Sequence, residues 1–243
     1  MPHHHHEDLR EASDRRLFLA VAVNVLLTVA QVAGGLVSGS LALIADALHN
    51  LGDAAALGIA VVARKIGRRP ANHFKTFGYK RAEVIAALVN LTTLAIIGLY
   101  LVFEALWRFV QPQEIHGWIV VVIAGVALVV NTVTAVLTYS LSRVSINVRA
   151  AFMHNLSDAL ASLAVIVAGV LILLFRWYWV DAFLTLVIAG YVLYQAFSML
   201  PETVHILMQG TPAHISIDRI IQTMESLDKV ESVHHVHVWQ LDE

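Results

Sequence analysis

Long apolar stretches alternate with short polar breaks along this chain, at the spacing of a helical membrane protein. A helix needs about 20 mostly apolar residues to cross a hydrocarbon core of about 30 Å. Six stretches qualify: residues 17–37, 41–63, 82–109, 118–140, 150–175 and 180–200. The breaks hold polar or helix-stopping residues: Ser38-Gly39-Ser40, the stretch from Gly67 to Pro70, Gln111-Pro112-Gln113, residues 142–147, and Arg176-Trp177-Tyr178-Trp179. The second stretch contains Asp46, His49 and Asp53, so hydropathy alone scores it poorly. Its flanks and its twin in the fifth stretch make it a span. After Leu200 the pattern changes. Pro201 opens a polar connection through Gly210, Thr211 and Pro212. Residues 214–227 then set Ile217, Ile220, Ile221, Met224 and Leu227 on one helical face, and residues 233–241 read as a strand rich in β-branched side chains. One helix and one strand bury too little apolar surface for an independent core. The expected organisation is a polar tail (1–16), an all-α domain of six transmembrane helices (17–200) and the first part of a C-terminal α/β domain (201–243), inside which the chain stops.

Composition agrees with the pattern. With 58% hydrophobic and 14% charged residues among 243, the chain falls outside soluble globular proteins. A formal charge of −2 gives no basic bias toward nucleic acid, and the absence of cysteine excludes disulfides and thiolate ligands, so any metal site must use nitrogen and oxygen donors. The tail carries His3, His4, His5 and His6 but no apolar core or cleavage site of a signal peptide, so the first stretch stays as a span. The His tract reads either as a weak metal-gathering tail or as an expression-tag remnant.

Charge then orients the spans. Arg10, Arg15 and Arg16 precede the first span. Arg64, Lys65, Arg68, Arg69, Lys75, Lys80 and Arg81 lie between the second and third, and Arg143 and Arg149 between the fourth and fifth. All fall on one side if six spans alternate, which makes both termini cytoplasmic. Trp107, Trp118, Trp177 and Trp179 gather at the opposite ends, as an interfacial aromatic belt would.

Inside the apolar stretches one segment repeats. His49-Asn50-Leu51-Gly52-Asp53-Ala54 returns 105 positions later as His154-Asn155-Leu156-Ser157-Asp158-Ala159. Residues four apart share a helix face, so His49 stacks with Asp53 and His154 with Asp158. Two such faces opposed present two imidazoles and two carboxylates, enough for a tetrahedral shell around zinc. Calcium and magnesium prefer more, all-oxygen ligands, whereas cobalt, nickel and iron stay open because affinity alone does not settle selectivity. Ionisable groups at membrane depth are costly and usually functional. Buried polar helix contacts are the plainer alternative, and duplication of the pair weighs against them.

The chain resembles the cation diffusion facilitator family of divalent-metal transporters, most closely its bacterial zinc-efflux branch. The likeness rests on residues 39–53 (Gly-Ser-Leu-Ala-Leu-Ile-Ala-Asp-Ala-Leu-His-Asn-Leu-Gly-Asp), 77–83 (Phe-Gly-Tyr-Lys-Arg-Ala-Glu), 147–158 (Asn-Val-Arg-Ala-Ala-Phe-Met-His-Asn-Leu-Ser-Asp) and 233–239 (Val-His-His-Val-His-Val-Trp), together with the six spans. The resemblance implies a transport site on His49, Asp53, His154 and Asp158 that carries Zn2+ outward in exchange for protons by alternating access. Two His with two Asp is the zinc-preferring set, and Asp in place of the first His marks members that also accept cadmium. It further implies a homodimer in a bacterial inner membrane and a cytoplasmic domain of ferredoxin-like fold. In that domain His234 matches a ligand position and His237 is a weaker candidate. Some relatives hold a second site in the loop between spans two and three. Here Asn72, His73 and Lys75 stand where its acids and histidine would fall, so that site is not expected, and the basic loop reads instead as a contact for anionic lipid headgroups.

Several other polar residues carry two readings. Asp46 either orients an imidazole or bonds a neighbouring helix. Asn24, Thr28, Gln31, Asn131 and Thr134 either pack helices together or line an ion path. Asp181 is expected to complement the dipole of its own helix, Glu104 and Arg108 to pair, and His205 and His214 to be solvated. Two other functions compete with efflux. An intramembrane metalloenzyme is disfavoured because a catalytic zinc keeps an open position and a nearby base. A metal sensor or trafficking scaffold would instead work through the cytoplasmic part. No G-x-x-x-x-G-K-[ST] loop is present, so direct ATP drive is not expected.

Overall fold

The computed structural model describes residues 23–139 and 146–241. Among these residues seven helices follow in order: α1 (Val23–Ser38), α2 (Leu41–Gly67), α3 (Ala82–Val110), α4 (Gly117–Tyr139), α5 (Ile146–Phe175), α6 (Trp179–Leu207) and α7 (Ile217–Glu225). The tail with His3–His6, the start of the first span and Arg143 lie outside the described residues. Among the described residues, four helices are long and apolar enough to cross a membrane: α3, α4, α5 and α6. α2, with 27 residues, is about 40 Å long; its Asp46, His49 and Asp53 interrupt the hydropathy, as its sequence led one to expect. Large apolar side chains such as Phe103, Val136, Leu174 and Tyr194 point outward from these helices. Water would penalise such an exterior and lipid does not.

The chain divides into two compact units, Met1–Ala54 with Ile96–Leu193, and Ala55–Ala95 with Tyr194–Glu243. In the first unit the interior is built of small residues and a few larger ones: Ala42, Leu43, Val120, Ala124, Val165 and Ile172 are all buried in one cluster. Glycines let helices approach. A Cβ on Gly34 would meet Ile123 at 2.8 Å, and one on Gly117 would meet the carbonyl oxygen of Gly169 at 2.8 Å, so α1–α4 and α4–α5 contacts run through positions that accept no side chain.

The first turn of α2 is fixed from two directions. Gly39, at φ 76°, makes the reversal out of α1 that a β-carbon would strain. Ser40 then acts as N-cap, its Oγ accepting from the N–H of Leu43 at 3.1 Å. Asp181 reaches across from α6: it accepts from Ser40 Oγ at 2.5 Å, from the Leu41 N–H at 2.8 Å and from the Ala42 N–H at 3.4 Å. Asp181 stands in the first turn of its own helix, as expected, and in addition caps α2. Its side chain lies against a neighbour's unsatisfied donors, which are the stronger partners in an apolar interior. From α3, Arg108 completes the cluster by donating to the Gly39 carbonyl oxygen, 3.8 Å from Asp181 and 3.8 Å from Glu104. The expected Glu104–Arg108 pair is thus one part of a larger network.

α6 extends beyond the expected end at Leu200, through Pro201 to Leu207. Proline costs one backbone hydrogen bond within a helix, but the following turn is held by Thr203, whose hydroxyl donates to the Met199 carbonyl at 3.2 Å, and by buried Ile206. In the second unit, Asn72 organises the α2–α3 loop. Its Oδ1 accepts from the N–H groups of Phe74 and Lys75 at 2.9 and 2.8 Å, and its Nδ2 donates to the Tyr79 hydroxyl at 2.9 Å. α7 is shorter than the expected 214–227, starting after Ser216, whose side chain caps it, and none of its residues is buried. The strand expected over 233–241 is not formed; no strand occurs among the described residues. Among the described residues no neighbouring strand receives its backbone groups, and His235 at φ 55° breaks the extended path.

The cap predicts a stability effect. Asp181→Ala leaves Ser40, two helix N–H groups and Arg108 without their shared acceptor, and removal of one member of a buried pair costs about 3 kcal/mol or more. The detergent-solubilised variant is expected to unfold at a clearly lower temperature than the wild type; equal melting would contradict the cap.

Candidate metal centre

His49 and Asp53 sit one turn apart on α2, and His154 and Asp158 one turn apart on α5. All four belong to the first unit, and the structure brings them together. His49 Nε2 lies 3.7 Å from Asp53 Oδ2 and 4.0 Å from Asp158 Oδ1, while His154 Nε2 lies 3.6 Å from Asp53 Oδ2 and 3.4 Å from Asp158 Oδ2. The two imidazoles stand edge to face with centroids 6.3 Å apart. A tetrahedral shell with metal–ligand bonds of about 2.0–2.1 Å sets neighbouring donors roughly 3.3–3.4 Å apart. Among the described residues no three such side chains close on an ion as they stand. The quartet has the right donors in an alternating ring, drawn slightly wide.

One atom defines the centre. Asp53 Oδ2 is buried and has no hydrogen-bond partner, although it lies between the Nε2 atoms of both histidines. A carboxylate oxygen in that position is costly unless a cation or proton is shared with it. The quartet is also asymmetric. His49 and Asp158 are 14% and 8% exposed, whereas Asp53 and His154 are 39% and 48% exposed, so one layer is closed and the other accessible.

Asp46 does not touch the histidines. Its Oδ2 accepts from Gln31 Nε2 of α1 at 2.6 Å, and Gln31 Oε1 accepts from Asn50 Nδ2 at 3.3 Å. Of its two readings, the helix–helix bond is the one formed. Gln31 is fully buried in this role, whereas Thr28 bonds back to the Asn24 carbonyl of its own helix. On α4, Asn131 reaches Ser162 of α5 at 3.5 Å and Thr134 bonds back to Val130. Two participants were not foreseen. Asn50 follows the first histidine in the repeated motif, which was a usable signal. Tyr191 of α6 stands edge-on to His49 with centroids 6.1 Å apart, and nothing in its sequence neighbourhood marks it. Its position depends on how α6 packs.

The tail histidines are placed differently. His234 is exposed, with Nε2 2.8 Å from Ser232 Oγ, and His237 is exposed as well. Neither is gathered with further acidic or histidine side chains among the described residues. His214 is exposed as expected; His205 is exposed but has a partner, its Nε2 lying 2.9 Å from the Thr211 carbonyl oxygen.

Residues 17–208 match the cation efflux transmembrane domain family. Among curated proteins, the chain is 38% identical over 242 residues to the zinc transporter ZitB of Pectobacterium atrosepticum, covering 99% of this chain and 76% of that one. It is 35% identical over 243 residues to the cadmium, cobalt and zinc/H(+)-K(+) antiporter of Bacillus subtilis, covering 99% and 77%. It is 33% identical over 237 residues to the metal cation efflux system protein CzcD of Cupriavidus metallidurans, covering 98% and 75%. The metalloenzyme reading is thereby set aside in favour of transport, and the long apolar helices are those of an integral membrane protein. With its repeated His-Asp pairs facing each other across α2 and α5, the chain belongs to the cation efflux family.

Proposed function

We propose that the protein exports Zn2+ from the cytoplasm in exchange for protons, with His49, Asp53, His154 and Asp158 as a tetrahedral transport site reached alternately from the two sides. The unpartnered Asp53 Oδ2 between two imidazole nitrogens carries the reading. Metal binding needs neutral imidazole and ionised carboxylate, so filling the site releases protons and emptying it takes them up. Histidine titrates near neutral pH and suits such an exchange. The relatives named for zinc, for cadmium and cobalt, and for proton antiport support both cargo and coupling. Cadmium, cobalt, nickel and iron are secondary cargoes of the same nitrogen–oxygen site.

Six spans with both termini cytoplasmic complete the reading, α2 counting as a span by length and α1 as the described part of the first. In this orientation the exposed pair, Asp53 and His154, is nearer the cytoplasmic ends of α2 and α5, which carry Arg64 and Arg149. The accessible layer thus faces the side from which an exporter loads. A bacterial inner membrane, a homodimeric assembly, a cytoplasmic α/β domain beginning near residue 201, and a secondary metal role for His234 and His237 in it belong to the same proposal.

Three outcomes test it. Asp158→Ala leaves three ligands with excess positive charge in an apolar setting; zinc flux in proteoliposomes is expected to vanish while the folded protein still inserts, and wild-type flux would rule the site out. His49→Asp exchanges a nitrogen donor for oxygen and adds negative charge. In a competition assay it is expected to raise cadmium or manganese transport relative to zinc, whereas an unaltered profile would remove His49 from selectivity. Asp46→Asn keeps an acceptor for Gln31 and touches no ligand. Calorimetry is expected to find zinc affinity lowered by less than the roughly 10- to 100-fold that loss of a ligand-orienting partner costs; a larger drop would return Asp46 to the site.

A further inference from the structure

In the second unit, a cavity of about 370 Å³ is formed by the α2–α3 loop, the first turn of α3 and the tail after α7. Lys75, Lys80 and Arg81 line it, and among the described lining residues none carries a carboxylate. Arg81 Nε is buried without a hydrogen-bond partner. An orphaned guanidinium N–H on a residue that lines the same cavity as the Lys75 ammonium calls for an anion, and the planar fork of arginine suits a phosphate. We propose that this cavity binds the phosphate of an anionic phospholipid headgroup. The inference is independent of the metal site.

Three observations favour a lipid over free phosphate. First, the cavity lies at headgroup depth. α3 starts at Ala82 and, with 29 residues, is about 43 Å long, close to the roughly 40–45 Å of a bilayer including its headgroups. Second, aromatic and apolar surface adjoins the cations. Phe77 packs edge-on against Trp239 with centroids 6.2 Å apart, and Phe74, also on the cavity wall, is 93% exposed. Amphipathic rings settle at this level of a membrane, and a free phosphate has no use for them. Third, the loop is preformed: the Asn72 turn fixes Phe74 and Lys75 through their backbone N–H groups, so little ordering remains to be done on binding.

The test is retention of lipid by the full chain in detergent, read by native mass spectrometry during titration with phosphatidylglycerol, phosphatidylcholine or inorganic phosphate. One equivalent of phosphatidylglycerol is expected to be held in preference to phosphatidylcholine. Arg81→Gln is expected to weaken it about fivefold or more, the effect of one cation at an anionic surface. Lys75→Gln, on the exposed loop and without a packing role, is expected to act in the same direction and guards against a folding defect in the first variant. Wild-type retention in both variants, or equal retention of phosphatidylcholine, would overturn the proposal. Full displacement by equimolar inorganic phosphate would overturn the lipid assignment. Asp242 and Glu243 follow Leu241 and lie outside the described residues. If phosphatidylglycerol binds only after Asp242→Asn and Glu243→Gln, the cations serve the chain's own carboxylates and the proposal fails.

Discussion

The first turn of α2 has to be satisfied inside an apolar interior, and the way this is done sets the rest of the site. Three successive backbone N–H groups find acceptors in Ser40 and Asp181, and Arg108 closes the cluster from α3. Such donors, buried and left unpaired, would each cost about 1–3 kcal/mol. Their partners come from α6 and α3, so the cap also fixes the rotation and depth of α2. His49 and Asp53 follow about two to three turns later on the same rigid helix; their facing toward α5 is inherited from that anchor.

A second constraint, from α1, reinforces it. Gln31 spans Asp46 and Asn50, two polar side chains one turn apart that flank His49 in sequence. Asp46 Oδ2 and Asn50 Nδ2 are thereby given a partner, while Asp53 Oδ2 is left without one. The packing side chains Gln31, Asp46 and Asn50 bond one another, whereas the carboxylate oxygen between the imidazoles has no hydrogen-bond partner.

The second unit follows a different logic. Here cations stand on a short loop held by one asparagine, next to exposed aromatic rings, and the described tail after α7 forms no strand. Asn72 occupies a position where some relatives would carry a metal ligand by the family likeness. Its side chain is spent on the turn, accepting from Phe74 and Lys75 and donating to Tyr79.

Period and composition alone determined the helices. As far as they are described, the apolar stretches 41–63, 82–109, 118–139, 150–175 and 180–200 each became one helix, because in lipid a long apolar run can satisfy its backbone only by itself. The repeated His-x-x-x-Asp also declared the four convergent side chains, since a four-residue spacing fixes a shared face on each helix before any packing is known. What the local pattern could not determine depends on partners distant in sequence. Asp181 caps α2 across 140 residues, Tyr191 meets His49 only because α6 packs beside α2, and Asp46 bonds a glutamine and not an imidazole. α6 continues through Pro201, where the turn beyond is buried enough to outweigh one lost hydrogen bond. The alternation of residues 233–241 led one to expect a strand, yet a strand is completed by its neighbour, and tertiary structure supplies none among the described residues.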